Sequence, residues 1–409
     1  MPKRVVITGM SLASPLGCGV KSSFERLHIL KNCIQYDSEL ETYRGLHTKL
    51  SAKVKDFVLP SDFTRKTTRT MGDVAIMSVV TAKEALEDAG LLNNPIISSG
   101  QTGVAYGSCS GSMDAMADFY SMCANHEVKN LNSGSYIRMM SHTSAVNISL
   151  YFKTHGRIIP TSTACTSGSM AIGYAYEAIK SGQQTIMIAG GADEYCPSNI
   201  GVFDALFATS VKNDTPNLTP SPFDRDRDGL VISEGAGTLI LEEYEHAKNR
   251  GAKIYAEIAG FATNSDGTHI TNPNPEMMAK VMEMALSDAK ISSVAIGYIN
   301  AHGTGTINGD IAESHATSSA LGCNIPISSL KSYTGHTLGA CGAIEAIMSI
   351  EMMNNNWFCP TLNLKNSDSK CADLDYIIDT FRKIETEYIM SNNFAFGGIN
   401  TSLILKRVF

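Results

Sequence analysis

Three residues of this 409-residue chain carry side chains that could act together in covalent chemistry: Cys165, His302 and His336. A cysteine thiolate is a strong nucleophile, and an imidazole can move a proton or donate a hydrogen bond near neutral pH. Neither histidine has a carboxylate next to it in the sequence, so the set does not fit the pattern of a cysteine protease. The residue types therefore predict a nucleophilic cysteine assisted by two histidines.

Cys165 lies where a strand is expected to turn into a helix. Residues 156–160 favour a strand, and residues 170–181 carry apolar side chains at helical spacing before Gly182. The free N–H groups and positive dipole end at a helix start stabilise an anion, so we expect this thiol to ionise more readily than a free cysteine. The simpler alternative, a buried structural cysteine in a tight junction, fits most single cysteines and stays open at this point.

The two histidines also follow predicted strands. A strand at 296–300 leads into His302, and a strand at 326–329 leads into the segment Lys331–His336. A third loop, at 392–400, follows another strand. Because α/β sheets bind ligands at the carboxyl ends of their strands, we expect these loops to meet at one edge. A single histidine is usually structural, but two histidines and a cysteine at one edge indicate a site.

Strand and helix patterns alternate along the chain, which favours an α/β fold with buried sheets covered by helices. The pattern begins again near Gly251. We therefore divide the chain into residues 1–250, which carry the cysteine, and residues 251–409, which carry both histidines. The similar plan of the two halves indicates an internal duplication of the fold, although the sequence shows no direct repeat.

The composition excludes several classes of protein. A net charge of −7 and a pI of about 5.8 argue against nucleic acid as the main partner. No run approaches the roughly twenty apolar residues that span a membrane, and the apolar run 5–8 is too short for a signal peptide. We expect a cytoplasmic protein without a membrane partner. The ten scattered cysteines form no C-x-x-C pair, which predicts reduced thiols and no metal site.

The motifs, in their order, resemble one family over nearly the whole chain. The residues that carry the resemblance are Thr163–Gly168, Asn300–Thr304 with Thr306, Gly309-Asp310 and Glu313, Lys331–His336 and Phe396–Gly398. The chain resembles the elongating β-ketoacyl-(acyl-carrier-protein) synthases, the type II condensing enzymes of bacterial fatty acid and polyketide synthesis. The resemblance implies a thiolase-like α/β fold, with two similar halves stacked as a five-layer αβαβα core.

The resemblance also implies a mechanism. Cys165 would take the acyl chain from its carrier as a thioester, and His302 and His336 would hold the malonyl thioester carbonyl while carbon dioxide leaves. The carbanion would then attack the Cys165 thioester in a Claisen condensation. The backbone N–H groups of Cys165 and Phe396 would form the oxyanion hole for that attack.

Supporting roles follow from the same resemblance. Lys331 is expected to pair with Glu313 and to order the histidines, and Phe396 is expected to act as a swinging gate beside the cysteine. Thr304 and Thr306 would bind the phosphopantetheine arm through their hydroxyls. The remaining substrate-binding residues are Thr271, Ser110, Gly397 and Gly398. No resident cofactor is expected, because the phosphopantetheine arrives on the acyl carrier protein.

The chain departs from the family pattern in two places. The last loop of the family usually reads Gly-Phe-Gly-Gly-Thr-Asn, whereas Ala395 and Ile399 stand here for the first glycine and the threonine. We expect these replacements to alter how the gate opens. Ser110 stands where many relatives carry a bulky apolar residue at the acyl pocket. A deeper or more polar pocket favours a specialised chain, such as a polyene or polyketide, over an ordinary saturated fatty acid.

Two kinds of partner are expected. Carrier proteins of this pathway are acidic, so docking on an acidic chain needs a local basic patch, which we assign to Arg65, Lys66, Arg69 and Lys212. Members of the family are dimers, and the apolar strand 157–163 suits the interface, with residues 131–140 reaching toward the partner's pocket. The partner is an identical chain or a degenerate paralogue without the cysteine, and the sequence leaves both open.

Two other functions are weaker alternatives. A subunit of the chain-length-factor type shares the fold but lacks the nucleophile, whereas Cys165 is present here. A thiolase or an initiating synthase uses a Cys–His–Asn set or a second cysteine, whereas the motif ending at His336 favours elongation. The sequence therefore predicts an elongating condensing enzyme, with the catalytic subunit of a heterodimeric synthase as the alternative.

Overall fold

The first half of the chain alternates strands and helices as its sequence predicts. The computed structural model describes residues 2–129 and 131–408. The strands of this half are β1 (Val5–Ser14), β2 (Gly17–Cys18), β3 (Gln35–Tyr36), β4 (Leu50–Ser51), β5 (Thr102–Gly107), β6 (Ile158–Thr161), β7 (Ile186–Asp193) and β8 (Gly235–Glu243). Its helices are α1 (Val20–Leu27), α2 (Arg65–Thr68), α3 (Asp73–Asp88), α4 (Met113–Asn125), α5 (Ser133–Met139), α6 (Thr143–Phe152), α7 (Ser167–Lys180), α8 (Pro197–Ala205) and α9 (Tyr244–Asn249).

The second half follows the same plan. Its strands are β9 (Ala256–Ser265), β10 (Ile296–Asn300), β11 (Ile327–Ser328), β12 (Trp357–Phe358), β13 (Arg382–Lys383), β14 (Tyr388–Ala395) and β15 (Ile399–Lys406). Its helices are α10 (Pro275–Ala289), α11 (Ile307–Leu321), α12 (Lys331–Thr334) and α13 (Cys341–Asn354).

The main strands of the two halves have one topology. The first half has the order β6-β5-β7-β8-β1, and the second has β11-β10-β14-β15-β9. In each half the first three strands of that order are parallel and the last two pairings are antiparallel. The internal duplication predicted from the sequence pattern is therefore a duplication of strand order and direction. A short antiparallel pairing between β1 and β9 joins the two sheets.

The helices complete five layers in the order αβαβα. Helices α3 and α6 cover the outer face of the first sheet, and α10 packs on the second sheet with α11 beside it. Helices α7 and α13 lie between the sheets and contact strands of both. A helix between two sheets must be apolar on every face, and α13 is buried over nearly its whole length. Each fully buried Ile or Leu in this middle layer stabilises the fold by about 1.5–3 kcal/mol.

Helices α5 and α8 were not predicted from the sequence, and neither were the four-residue helices α2 and α12. Helix α5 occupies most of the segment 131–140, which is expected to reach toward the partner's pocket. Only Ile200 and Asp204 are buried in α8, so its sequence carries no apolar periodicity to reveal a helix. Within the described residues, none of the helices combines the length and apolarity needed to cross a lipid bilayer.

Candidate active site

The cysteine and the two histidines meet in one buried cluster. Cys165 precedes α7, His302 follows β10, and His336 follows α12. Their Sγ and ring nitrogen atoms lie within 4.8 Å of one another, and all three residues are buried. The expectation that these loops meet is confirmed by the distances: the histidine loops follow the parallel neighbours β10 and β11, and the turn after β6 in the other half brings Cys165 to them.

A tight turn presents the cysteine. Ala164 adopts φ 49°, a left-handed conformation that is uncommon for residues other than glycine. The Ser167 side chain fixes the turn, because its hydroxyl accepts from the N–H of Thr163 at 2.9 Å and donates to the carbonyl of Ala164 at 2.7 Å. Cys165 therefore lies two residues before α7 begins and not inside its first turn.

Burial determines the acidity of the Cys165 thiol. With only 4% of the residue exposed, loss of solvation raises the pKa of this thiol to about 11. Lys331 and the backbone N–H groups of Phe396 and Cys165 pull the pKa in the opposite direction but do not overcome burial. The expectation that the helix terminus makes this thiol more acidic than a free cysteine is therefore wrong. The two N–H groups at the sulfur are those that the resemblance assigns to the oxyanion hole.

His336 faces the cysteine as a neutral hydrogen-bond donor. Its Nε2 atom lies 3.0 Å from the Sγ atom of Cys165, and its Nδ1 atom accepts from the N–H of Leu338 at 3.2 Å. An Nδ1 atom that accepts carries no proton, so the proton of the neutral ring is on Nε2. Burial first, and the charge of Lys331 second, hold the pKa of His336 well below its ordinary value.

His302 has the same protonation for a different reason. Its Nδ1 atom lies 3.2 Å from the Nζ atom of Lys331 and 3.4 Å from the side-chain nitrogen of Asn393, both of which are donors. The proton of the neutral ring is therefore on Nε2. Burial, then Lys331 and His336, lower the pKa of His302 well below its ordinary value. The two rings are 5.3 Å apart and nearly perpendicular.

Lys331 pairs with Glu345 and not with Glu313 as predicted. Its Nζ atom forms an ion pair with the carboxylate of Glu345 on α13, and both side chains are buried. Asn393 donates to the other Glu345 oxygen at 2.7 Å. Sequence reasoning missed Glu345, although a carboxylate in the middle of an apolar helix between two sheets is a detectable signal.

Glu313 holds the His302 loop by its backbone. Its two carboxylate oxygens accept from the N–H groups of His302 and Gly303, each at 2.7 Å. Burial raises the pKa of Glu313 to about 8. Within the described residues, the ion-pair partner of Lys331 is Glu345, and Glu313 instead fixes the backbone of the loop.

A cavity of about 360 Å³ leads from the surface to this cluster. Its walls include Thr271, Thr304, Thr306, Phe396 and Gly398 from the predicted set. The Thr304 and Thr306 hydroxyls hydrogen-bond to each other at 2.9 Å. Gly397 and Ser110 are not among the described residues that line it. The hydroxyl of Ser110 is buried and has no partner within the described part of the chain.

Comparison with known proteins places this site in a family. Residues 2–247 match the family model described as "Beta-ketoacyl synthase, N-terminal domain", and residues 255–365 match the one described as "Beta-ketoacyl synthase, C-terminal domain". The chain belongs to the β-ketoacyl synthase family. This membership bears out the resemblance and the thiolase-like fold expected from the motifs.

Individual relatives match this β-ketoacyl synthase over its whole length. The chain is 36% identical to 3-oxoacyl-[acyl-carrier-protein] synthase 2 of Vibrio harveyi, with 99% of each sequence covered. The chain is 54% identical to a β-ketoacyl synthase from Burkholderia phymatum whose crystal structure is known. The two structures have a TM-score of 0.98, and the comparison covers 100% of each chain. A type II polyketide ketosynthase solved with its acyl-carrier protein is 32% identical, with a TM-score of 0.90 and full coverage of both chains.

The loop between β14 and β15 places Phe396 over the site of this β-ketoacyl synthase. The ring of Phe396 lies 5.1 Å from that of Phe203 at the end of α8. Gly397 follows at φ 87° and donates its N–H to the carbonyl of Ile270 at 2.8 Å. A side chain at Gly398 would clash with Asp266 at 2.7 Å. The loop is thus confined on one side by α8 and on the other by residues 266–270.

The four residues assigned to carrier docking differ in their surroundings. Arg65, Lys66 and Arg69 are exposed on α2 and at its end, where the Arg69 carbonyl lies close to Gly134 of α5. The Nζ atom of Lys212 instead donates to the Asp226 carbonyl at 2.8 Å and lies 3.6 Å from a carboxylate oxygen of Asp228. Lys212 is therefore only partly exposed, and its charge is already paired within the chain.

Proposed function

We propose that this β-ketoacyl synthase catalyses the decarboxylative Claisen condensation of an acyl chain with malonyl-acyl-carrier-protein. The observation that carries the proposal is the pair of neutral imidazoles, each with its Nε2 proton available, beside a buried cysteine. Neutral N–H donors stabilise a developing oxyanion without needing to lose a proton of their own. A base-activated cysteine hydrolase would instead need a histidine with a free basic nitrogen toward the sulfur.

The first step would transfer the acyl chain to the enzyme. The Cys165 sulfur attacks the carrier thioester carbonyl, the carrier thiol leaves with the proton given up by Cys165, and a new thioester remains on Cys165. The N–H groups of Cys165 and Phe396 would stabilise the tetrahedral oxyanion. The proton must leave at the moment of attack, because the raised pKa keeps the resting sulfur as a thiol.

The second step would use both histidines. Malonyl-carrier loses carbon dioxide, and the electron pair of the broken bond forms an enolate whose oxygen accepts from the Nε2–H groups of His302 and His336. The enolate carbon attacks the Cys165 thioester, the carbon–sulfur bond to Cys165 breaks, and β-ketoacyl-carrier is released. The Cys165 thiolate that leaves takes up a proton from water. Lys331 and Glu345 act through His302, since the lysine fixes the Nδ1 atom as an acceptor.

We propose that no resident cofactor or metal takes part. The sulfur and the two histidines are close enough to hold an ion. A metal on Nε2 of either ring would require the proton to move to Nδ1, where Leu338 in one ring and Lys331 in the other already donate. The reactive arm would be the phosphopantetheine of the carrier, with Thr304, Thr306 and Thr271 along its path.

The proposed partners are an acyl carrier protein and a second copy of this chain. Strand β6 ends the sheet, and apolar side chains are exposed beside it on α4, α5, α6 and β6, namely Met116, Tyr120, Tyr136, Leu150 and Ile158. An exposed apolar sheet edge of this kind is usually covered by another chain. The complete catalytic set makes an identical copy the partner we favour over a degenerate paralogue. All ten cysteines are free, as in the reducing cytoplasm where we place the enzyme.

Intact-mass spectrometry tests the proposed function. The purified chain is incubated with a series of acyl carriers, including saturated, polyene and polyketide chains, and then with malonyl-carrier. We expect one acyl adduct on the wild-type protein, its loss on addition of malonyl-carrier, and no adduct on Cys165→Ala. The exposed Cys123→Ala serves as the matched control and should acylate normally. Condensation by Cys165→Ala at the wild-type rate would refute the mechanism. The preferred chain identifies the pathway, which we expect to be a specialised one.

A further inference from the structure

Phe207 closes helix α8 in a position where glycine is usual. Its N–H donates to the Asp204 carbonyl at 2.9 Å, and the next N–H, of Ala208, donates to the Phe203 carbonyl at 3.0 Å. This pair of bonds ends a helix through one residue in the left-handed conformation, and Phe207 has φ 54°. A bulky side chain in that conformation lowers the stability of the fold, whereas glycine adopts it freely.

Burial of the ring does not offset this conformational cost. Phe207 is 81% exposed. Its ring neighbour within the described residues is His47, at a centroid distance of 5.8 Å, and His47 is itself exposed. An exposed aromatic side chain in a strained conformation adds little stability to the isolated chain. This indicates that the side chain contacts another molecule.

Phe207 belongs to an apolar rim around the cavity that leads to the nucleophile. Leu206, Ile270 and Ile307 line the same cavity and are 49%, 70% and 56% exposed. They come from the end of α8, from the loop after β9 and from the start of α11. Three separate segments therefore converge to place apolar side chains at one entrance. We define the apolar rim as Leu206, Phe207, Ile270 and Ile307.

The rim offers little positive charge to an incoming acidic partner. None of the described residues that line the cavity is a lysine or an arginine. Lys212, the nearest predicted docking cation in sequence, is held by Asp226 and Asp228. Contact at the rim itself is therefore apolar, and salt does not screen apolar contact.

We propose that the apolar rim, centred on Phe207, is a docking surface for an apolar patch on the acyl carrier protein. The proposal rests on the proposed function. The occupant follows from the cavity, since its inner end is Cys165 and its outer end is the rim. A protein that inserts a tethered thioester to reach the sulfur must come to rest against the side chains at the entrance. Aromatic side chains in such a central position commonly dominate binding free energy.

The substitution Phe207→Gly separates the carrier contact from the fold. Glycine suits the left-handed position, so we expect the melting temperature to rise. The KM for acyl-carrier should increase by about 30-fold, the loss typical of an aromatic hot spot. The rise in KM for an acyl-N-acetylcysteamine thioester, which carries no protein, should be far smaller.

Two further variants serve as controls. Phe207→Leu, which keeps an apolar side chain, should retain most of the carrier affinity. Val294→Ala, at a 90% exposed valine on a turn that does not line the cavity, is the matched control and should change neither KM.

The other outcomes are distinguishable. An unchanged carrier KM in Phe207→Gly, or equal losses with both thioesters, would overturn the docking surface. Wild-type protein inactive with both thioesters would refute the proposed function instead. Wild-type protein that sediments with phosphatidylglycerol vesicles through Phe207 would assign the rim to a membrane. A lower sedimentation mass of the variant would assign it to a contact between copies. The ratio of variant to wild-type KM should stay constant between low and high salt, and a ratio that collapses at high salt would contradict an apolar contact.

Discussion

The Nε2 atom of His336 lies 3.0 Å from the Sγ atom of Cys165, and both partners are uncharged. Burial raises the pKa of the thiol to about 11 and holds the pKa of the imidazole well below its ordinary value. Both shifts act against a thiolate–imidazolium pair of the kind that activates papain-like proteases. Cys165 is therefore a thiol at rest, and in the proposed function His336 would donate to an oxyanion in a later step.

The protonated resting state of Cys165 should make its reaction with iodoacetamide slow at neutral pH. Because the pKa of Cys165 is raised, only a small fraction is thiolate at neutral pH, and the alkylation rate should climb about tenfold per pH unit toward a midpoint near 11. The rate is measured by intact mass between pH 6 and 10, with Cys165→Ala to subtract the other cysteines. An alkylation rate that reaches its plateau below pH 8 would instead indicate an acidic thiol stabilised by the helix terminus.

Decarboxylation should depend on both histidines and should tolerate mild acid. Loss of one oxyanion donor costs about 10²–10³-fold in rate, so His302→Ala and His336→Ala should each slow carbon dioxide release from malonyl-carrier by this factor. Because burial lowers the pKa of both rings, they stay neutral as the pH falls through 6.5, and the wild-type rate should show no step there. The exposed His315→Ala is the control, and full decarboxylation by either active-site variant would exclude the assignment.

The pairing of Lys331 with Glu345 should appear in a double-mutant cycle. Glu345→Ala leaves a buried lysine unpaired and should lower the free energy of unfolding by about 3–5 kcal/mol. The double variant Lys331→Met/Glu345→Leu should recover most of that stability in urea denaturation and still lack condensation activity, because His302 loses the donor at Nδ1. The same cycle with Glu313 in place of Glu345 should give a smaller coupling energy. A larger coupling energy with Glu313 would show that Lys331 pairs with the residue predicted from the sequence.

Ser110 is expected to limit the length of the acyl chain from outside the cavity of the single chain. Its buried hydroxyl lies in the segment that follows β5, next to Cys109, whose carbonyl accepts from Ser162 at 3.0 Å. Ser110→Phe should shorten the longest chain accepted in a series of acyl carriers without changing the dimer mass in sedimentation. A monomeric active enzyme, or an unaltered chain-length profile, would contradict a tunnel that ends at the dimer interface.

The basic residues on α2 should contribute a salt-sensitive share of carrier binding. Reversal of charge in Arg65→Glu/Lys66→Glu should raise the carrier KM, and the effect should be largest at low ionic strength, where exposed charges are least screened. Lys21→Glu, at an exposed lysine on α1, provides the matched reversal away from the site. If the double reversal leaves the carrier KM unchanged at low salt, the basic cluster has no part in docking.

Local sequence patterns were enough to bring the two histidines together. His302 and His336 lie in the loops after β10 and β11, and because these strands are parallel neighbours, both loops leave the same edge of the sheet. The approach of Cys165 from the other half depends on how the two halves pack. The repetition of strand and helix patterns likewise predicted two similar halves, because period and turn residues are local properties. The family motifs then connected these positions to a reaction.

What the sequence could not determine depends on which surfaces pack together. Lys331 pairs with Glu345 because α13 turns that residue toward it, while the oxygens of Glu313 are taken by the backbone of the His302 loop. The raised pKa of Cys165 follows from its burial in the fold, which its neighbours in the sequence do not reveal. Electrostatic pairing and solvation depend on distances across the fold, and only the tertiary structure decides those.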